Sequence, residues 1–270
     1  MPGGKSRLLL GGYAALVCVY LLVPALIVFL LAFSGEGYLK FPPSSLSLQW
    51  FARFFGDSQW QDSLWSSVLI GCIACPIATG VGFFAAYALV RSPLWAKKQL
   101  LSLLLLPMIV PTIITAVGMY FLSASLGLIG SIVWLGCCHA VVALPIVLLI
   151  MLSTLQGVDA NLERAALSLG SSRLRVFTHV VVPLALPGLL SAMLFAFLTS
   201  FDELLISLFL ADIRTQTLPV RIWNSLLLEV SPTIAAVSAF LGAVSGVVLL
   251  LDRLLRRRAT RTRSSVVLAE

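Results

Sequence analysis

Residues 130–155 read GSIVWLGCCHAVVALPIVLLIMLSTL, without one acid, lysine or arginine. As a helix this stretch is about 39 Å long at 1.5 Å per residue, more than the roughly 30 Å hydrocarbon layer of a bilayer. A soluble core has no use for so long an apolar run. Lipid accepts it, because a helix satisfies its own backbone hydrogen bonds. Comparable runs lie at 8–33, 66–90, 99–122, 184–210 and 232–251. They predict an all-α integral membrane protein of about six transmembrane helices, built as a single domain over residues 1–270.

Composition agrees. Apolar residues make up 60% of the 270, charged residues 11%, and the mean hydropathy is +1.05. Soluble domains carry about 45–50% apolar and about 25% charged residues. The net charge of +7 does not point to nucleic acid, because the basic residues flank apolar runs instead of lying among aromatics on a surface. The run 8–33 follows Lys5 and Arg7 and is about twice the 7–15 residues of a signal-peptide core. It reads as an uncleaved first span. All five cysteines fall inside apolar runs. Cys72 and Cys75 have redox or zinc spacing, but without a second pair or a nearby histidine they read as free, packed thiols. No metal site is expected.

Alternating the connecting segments between two sides sorts the charge. One side receives Lys5 and Arg7, Arg91 with Lys97 and Lys98, Arg164 with Arg173 and Arg175, and the tail arginines 253, 256, 257, 258, 261 and 263, which is 14 of the 18 basic residues. Positive loops stay cytoplasmic, so both termini are expected inside. The other side holds Glu36, Asp57, Asp62, Asp202, Glu203, Asp212 and Glu229. Such an acidic mouth suits a cationic solute or a basic partner, and equally an ordinary solvated loop. Small residues recur every four positions at Gly188-Ala192-Ala196-Ser200, Ala78-Gly82-Ala86 and Ala235-Ala239-Ala243, which predicts closely packed helices. Prolines 24, 76, 107, 111, 145 and 187 predict kinks or breaks.

Nothing in the chain reads as catalytic. Gly4-Lys5-Ser6 resembles the end of a phosphate-binding loop, but the first glycine of that motif would precede Met1. The informative polar stretch is GVDANLERAALSLGSSRLRVFTHVVV, residues 157–182. Asp159 or Asn161 can cap a helix with Glu163 in its first turn. Leu162, Ala165, Ala166 and Leu169 share one face, Gly170 stops the helix, and Ser171 or Ser172 can cap a second one. This segment either rests on anionic lipid or docks a partner.

Glu163-Arg164-Ala165-Ala166, Gly170, Phe177 and Pro183 resemble the EAA loop of permease subunits of type I ATP-binding-cassette importers. Ser47 to Phe51, Pro107 to Pro111, and His139 with Ala143-Leu144-Pro145 extend the resemblance over nearly the whole chain. Phe201-Asp202-Glu203, Ser207 to Leu210 and Thr217-Leu218-Pro219 resemble the spermidine/putrescine branch. Two departures stand out: Arg164 replaces the family's usual glutamate, and Ser66 a frequent asparagine.

The resemblance implies a non-enzymatic transport subunit in a bacterial inner membrane. Its coupling residues would be Glu163, Arg164, Ala165, Ala166 and Gly170. Two ATPase subunits would bind ATP and magnesium, with no cofactor in this chain. A second, related permease and an extracytoplasmic solute-binding protein would complete the assembly. Asp202, Glu203 and His139 are candidates for the solute path. The acids could instead pair with Arg214 or Arg221, and His139 could be a buried neutral residue bonded to a neighbouring helix. The tail could anchor at lipid or help to dock the ATPase. A permease for another small solute, a stand-alone transporter or channel, and a membrane assembly subunit remain the alternatives.

Overall fold

The computed structural model describes residues 4–93, 95–228 and 231–267, with side chains over 10–93, 95–228 and 231–254. The charges of Lys5, Arg7, Glu229 and the tail arginines beyond Arg253 therefore lie outside the described side chains. The order is α1 (Gly4–Leu31), α2 (Gln49–Gly56), α3 (Ser58–Arg91), α4 (Lys97–Ile109), α5 (Thr112–Leu126), α6 (Ile132–Gln156), α7 (Ala160–Ser168), α8 (Arg173–Val176), a π-helical turn (Phe177–Val181), α9 (Val182–Phe201), α10 (Leu205–Leu210), α11 (Leu218–Leu228) and α12 (Thr233–Val267). Among the described residues there is no strand; one isolated bridge joins Ser34 and Leu46. The fold is all-helical, as expected. Among the described residues, five helical stretches are long and apolar enough to cross a membrane, and a bent pair makes a sixth.

That bent pair occupies the expected span 99–122. Its two helices, α4 and α5, meet at 97°. The break has a local cause. Pro111 has no N–H to continue the helix and pushes the preceding Val110 into extended backbone, with φ −72° and ψ 131°. The other five prolines, at positions 24, 76, 107, 145 and 187, sit inside continuous helices. In the 184–210 region the helix stops at Phe201, and α10 begins only at Leu205. Towards the N-terminus the same helical stretch reaches back to Arg173. The π turn lies in that extension, where Val182 N–H bonds the Phe177 carbonyl. Pro183 follows directly and cannot donate to the carbonyl four residues back.

The chain divides into two compact units. The first comprises Met1–Gln61 with Arg221–Val244. There Ala32, Trp50, Ala235 and Ala236 are buried together, and Phe54 packs against Trp60 and Phe240. Asp57 Oδ1 accepts from the amides of Gln59 and Trp60, at 2.8 and 3.3 Å, and starts α3. Arg221 donates to Gln59 Oε1 and lies over the Trp60 ring.

The second unit comprises Asp62–Val220 with Ser245–Glu270. Its core joins α3, α6 and α9 through small side chains. Ala78 and Ala86 of α3, Ala143 and Val147 of α6, and Ala185, Ala192 and Ala196 of α9 are all buried. A Cβ on Gly82 would fall 2.5 Å from Val147, and one on Gly136 would fall 2.6 Å from Ile73. The four-residue stripes thus let the backbones approach, which is how helices associate where lipid is as apolar as leucine. The five cysteines are free thiols; Cys75 and Cys138 are buried, while Cys18 and Cys72 are exposed.

Candidate functional site

Two interruptions of helix, one at each end of α9, gather the chemistry-bearing residues of the second unit. The first is the α6–α9 loop. Asp159 caps α7, its Oδ1 accepting from Asn161 N–H at 2.9 Å. Gly170, at φ +84°, ends the helix. Ser171 N–H then returns to the Ala166 carbonyl at 3.1 Å, closing a Schellman turn. Ser172 Oγ accepts from Arg175 N–H and starts α8. Of the caps offered by the sequence, Asp159 and Ser172 are the ones used.

Glu163 points back at the bundle. Its Oε1 lies 2.7 Å from Arg91 Nε at the end of α3, and Tyr87 donates to its Oε2 at 3.4 Å. Arg91 also donates to the Val158 carbonyl at 2.8 Å. This clasp is largely shielded, with the two side chains 17% and 12% exposed. Arg164, the next residue, is exposed, as is Ala165; Ala166 is half-buried. No residue of α7 is buried. Between α7, α8 and the end of α3 lies a cleft of about 840 Å³, floored by Phe84 and Phe177 and rimmed by Arg91, Glu163, Arg164 and Arg173. Phe84 and Phe177 stack at 5.8 Å and 14°.

The second interruption is the elbow between α9 and α10. Asp202 caps the end of α9 through its backbone, and its side chain is exposed. Glu203 is half-buried, and its Oε1 accepts from Ile206 N–H at 3.1 Å in the first turn of α10. Among the described residues neither acid forms an ion pair with Arg214.

His139 of α6 fastens this elbow from below. It is 1% exposed. Nδ1 lies 3.1 Å from the Ser200 carbonyl and 2.9 Å from Ser200 Oγ, and Nε2 lies 3.0 Å from Ser207 Oγ. A carbonyl only accepts, so Nδ1 carries the proton and Nε2 accepts from the Ser207 hydroxyl. One ring thus joins the last turn of α9 to the first turn of α10. Beyond α10, Asp212 closes a turn, accepting from Arg214 N–H, Thr215 N–H and the Thr215 hydroxyl at 2.9 Å each. The Thr215 hydroxyl holds the Asp212 carboxyl below its ordinary value.

The structure brings His139 to the Asp202–Glu203 elbow, while Glu163 to Gly170 stand together at the opposite end of α9. Sequence reasoning missed Arg91 and Tyr87 as partners of Glu163. Their spacing of four, one face of a helix, was the available signal. It also missed the serines around His139: Ser200 counted only as a small residue in a stripe.

Residues 78–261 match the protein family described as binding-protein-dependent transport system inner membrane component. The chain belongs to this family. It is similar to the spermidine/putrescine transport system permease protein PotC of Haemophilus influenzae, with 28% identity over 242 residues, 90% of this chain and 94% of that one. PotC of Escherichia coli strain K12 is 25% identical over 95% of this chain and 97% of its own length. The putrescine permease PotI of that strain is 27% identical over 80% of each. Among solved structures, a bacterial ABC transporter involved in the import of the acidic polysaccharide alginate superposes with TM-score 0.66 at 15% identity, over 95% of this chain and 98% of the other. That likeness is one of fold. The permease is thus a transport subunit and not an enzyme, and it sits in the inner membrane.

Proposed function

We infer that this permease forms half of the membrane gate of an ATP-driven importer for polyamines such as putrescine and spermidine. The observation that carries the reading is the α6–α9 loop. A helix with no buried side chain is nevertheless capped at both ends and clasped by Arg91, in a chain whose relatives are polyamine permeases over nearly their full length. Rigid attachment on one side and open surface on the other is what a lever requires. Two ATPase subunits bind ATP and magnesium and hydrolyse the nucleotide. A second, related permease completes the gate, and an extracytoplasmic binding protein delivers solute.

Residues 1–270 act as one transmembrane domain, with both termini and α7 on the cytoplasmic side. Glu163, Arg164, Ala165, Ala166 and Gly170 pass the motion of the ATPase to the bundle. At the other end of α9, the elbow that carries Asp202 borders the outer part of the solute path, with Glu203 and the buried His139 behind it. Asp202 offers its exposed carboxylate to ammonium groups, which charge-assisted hydrogen bonds favour, while Glu203 and His139 hold the elbow. Labelled-solute uptake into vesicles holding the complete assembly tests the substrate class. Spermidine or putrescine should enter and compete with each other. Uptake of neutral or anionic solutes in preference to both would overturn it.

A further inference from the structure

A second cleft, of about 330 Å³, lies between the end of α3, the start of α4 and the end of α6, and it shares no lining residue with the cleft beside α7. Its volume falls within the range of small-molecule sites, about 300–1,000 Å³. Leu89, Val90, Leu101 and Leu152 supply an apolar wall, and Lys97, Lys98 and Gln156 the polar groups. Lys97 is half-buried and Lys98 exposed. Neither forms an ion pair among the described residues. A lysine at the end of a span is ordinarily explained by topology, but topology asks for no cleft and no particular place on a helix. These two open α4, where the helix dipole disfavours a cation and favours an anion. The first turn holds no acid, and Ala96 at the N-cap offers no side-chain acceptor to the amides that a helix start leaves unpaired. Directly before them Trp95 is 96% exposed, as aromatic side chains are where they meet the headgroup level of a bilayer.

We propose that this cleft binds one anionic phospholipid. Lys97, Lys98 and the first turn of α4 hold its phosphate, and the start of an acyl chain lies along Leu89, Val90, Leu101 and Leu152. A free phosphate would use the lysines and leave the apolar wall wet. A zwitterionic lipid would bring its own cation to two ammonium groups. An anionic lipid satisfies both walls, as basic pockets between membrane helices do elsewhere. Leu101 packs against the core shared by α3, α6 and α9, so the lipid braces the start of the bent span against the helix that leads into the α6–α9 loop. The site is independent of the solute carried and of which side of the membrane α7 faces.

The test uses the whole assembly in phosphatidylcholine nanodiscs doped with phosphatidylglycerol bearing a photoreactive acyl chain, with labelled peptides located by mass spectrometry. A photoreactive phosphatidylcholine of the same chains is the comparison. Phosphatidylglycerol should label the peptides that carry Val90 and Leu152 in preference to phosphatidylcholine. Lys97→Gln with Lys98→Gln should lower that labelling roughly twenty-five-fold, about fivefold for each charge. Lys98→Gln alone, at an exposed position, gives the single step should the double variant assemble poorly. Gln156→Trp, which narrows the cleft and keeps both lysines, should lower labelling too, and Arg175→Gln, outside the cleft, should leave it unchanged. Equal labelling by the two lipids would overturn the proposal. Labelling that survives Gln156→Trp, or falls as far with Arg175→Gln, would reduce the site to a diffuse field of charge and overturn it as well. Displacement by inorganic phosphate at constant ionic strength would assign the lysines to a free anion. No labelling of the wild-type cleft would mean that another subunit covers it, and either result would contradict a lipid site.

Discussion

The two ends of α9 are both helix breaks, and they are built in opposite ways. At the α6–α9 loop the bonds that hold α7 are peripheral: the Asp159 cap, a Schellman turn and one ion pair, with no residue of the helix buried. At the α9–α10 elbow the fastening is internal, since His139, Ser200 and Ser207 are all buried beneath an exposed Asp202. A segment stitched from inside keeps its shape alone. A segment fixed only at its edges, with leucines in solvent, is completed by something else. On the proposed reading, the first end of α9 serves as the handle and the second as the mouth.

Breaking the handle should have the largest effect. Gly170 has φ +84° with open space around it, so only backbone conformation is at stake. A side chain there costs about 1–2 kcal/mol, enough to shift the loop population by roughly five- to thirtyfold. Gly170→Val should abolish most solute-stimulated ATP hydrolysis in the reconstituted complex while leaving docking of the binding protein unchanged. Hydrolysis at the wild-type rate would mean that the turn does not set the handle.

Breaking the mouth comes next. His139→Leu strands the buried Ser207 hydroxyl, at about 1–3 kcal/mol for an unsatisfied group, while the Ser200 carbonyl keeps the Glu203 N–H. Thermal unfolding of the assembly should shift down and uptake should fall, with hydrolysis in the absence of solute kept. Glu163→Gln should cost somewhat less, about 1–2 kcal/mol. Faster amide exchange confined to α7 and the end of α3 would show the clasp loosening, and unchanged exchange there would deny that it holds the handle.

Asp202→Asn sharpens the comparison without touching stability, because this side chain is exposed. Polyamine uptake should drop several-fold with unfolding unaltered, and unchanged uptake would reject a direct role for the carboxylate. The smallest effect concerns Asp212. Its folded value lies below the ordinary 3.8, so the turn gains stability above that value and loses it as pH falls through the lowered one. Exchange of the Arg214 and Thr215 amides should quicken across that acid range and be indifferent to pH in Asp212→Asn.

Much of this was legible in the residues. Apolar runs gave the helices, because in lipid the length of a run and the absence of charge are nearly the whole code. The caps of α7 and its stop at Gly170 were written locally. A kink or break was expected at each of six prolines, and the 97° turn at Pro111 is one of them; the sequence did not single it out from the five that leave their helices unbroken, because neighbouring helices decide between the two outcomes. The clasp of Glu163 was hidden because Arg91 lies 72 positions away in the chain, and a basic residue at the end of a span already has a topological explanation. His139 offered two readings that differ only in what surrounds the ring, which no local pattern records.

The most direct test of the central claim is polyamine uptake into vesicles containing this permease, its sister subunit, the ATPase and the binding protein, measured with and without internal ATP. The account predicts accumulation against a gradient that needs ATP and is lost with Gly170→Val. Flux of equal size without ATP, insensitive to that substitution, would contradict it.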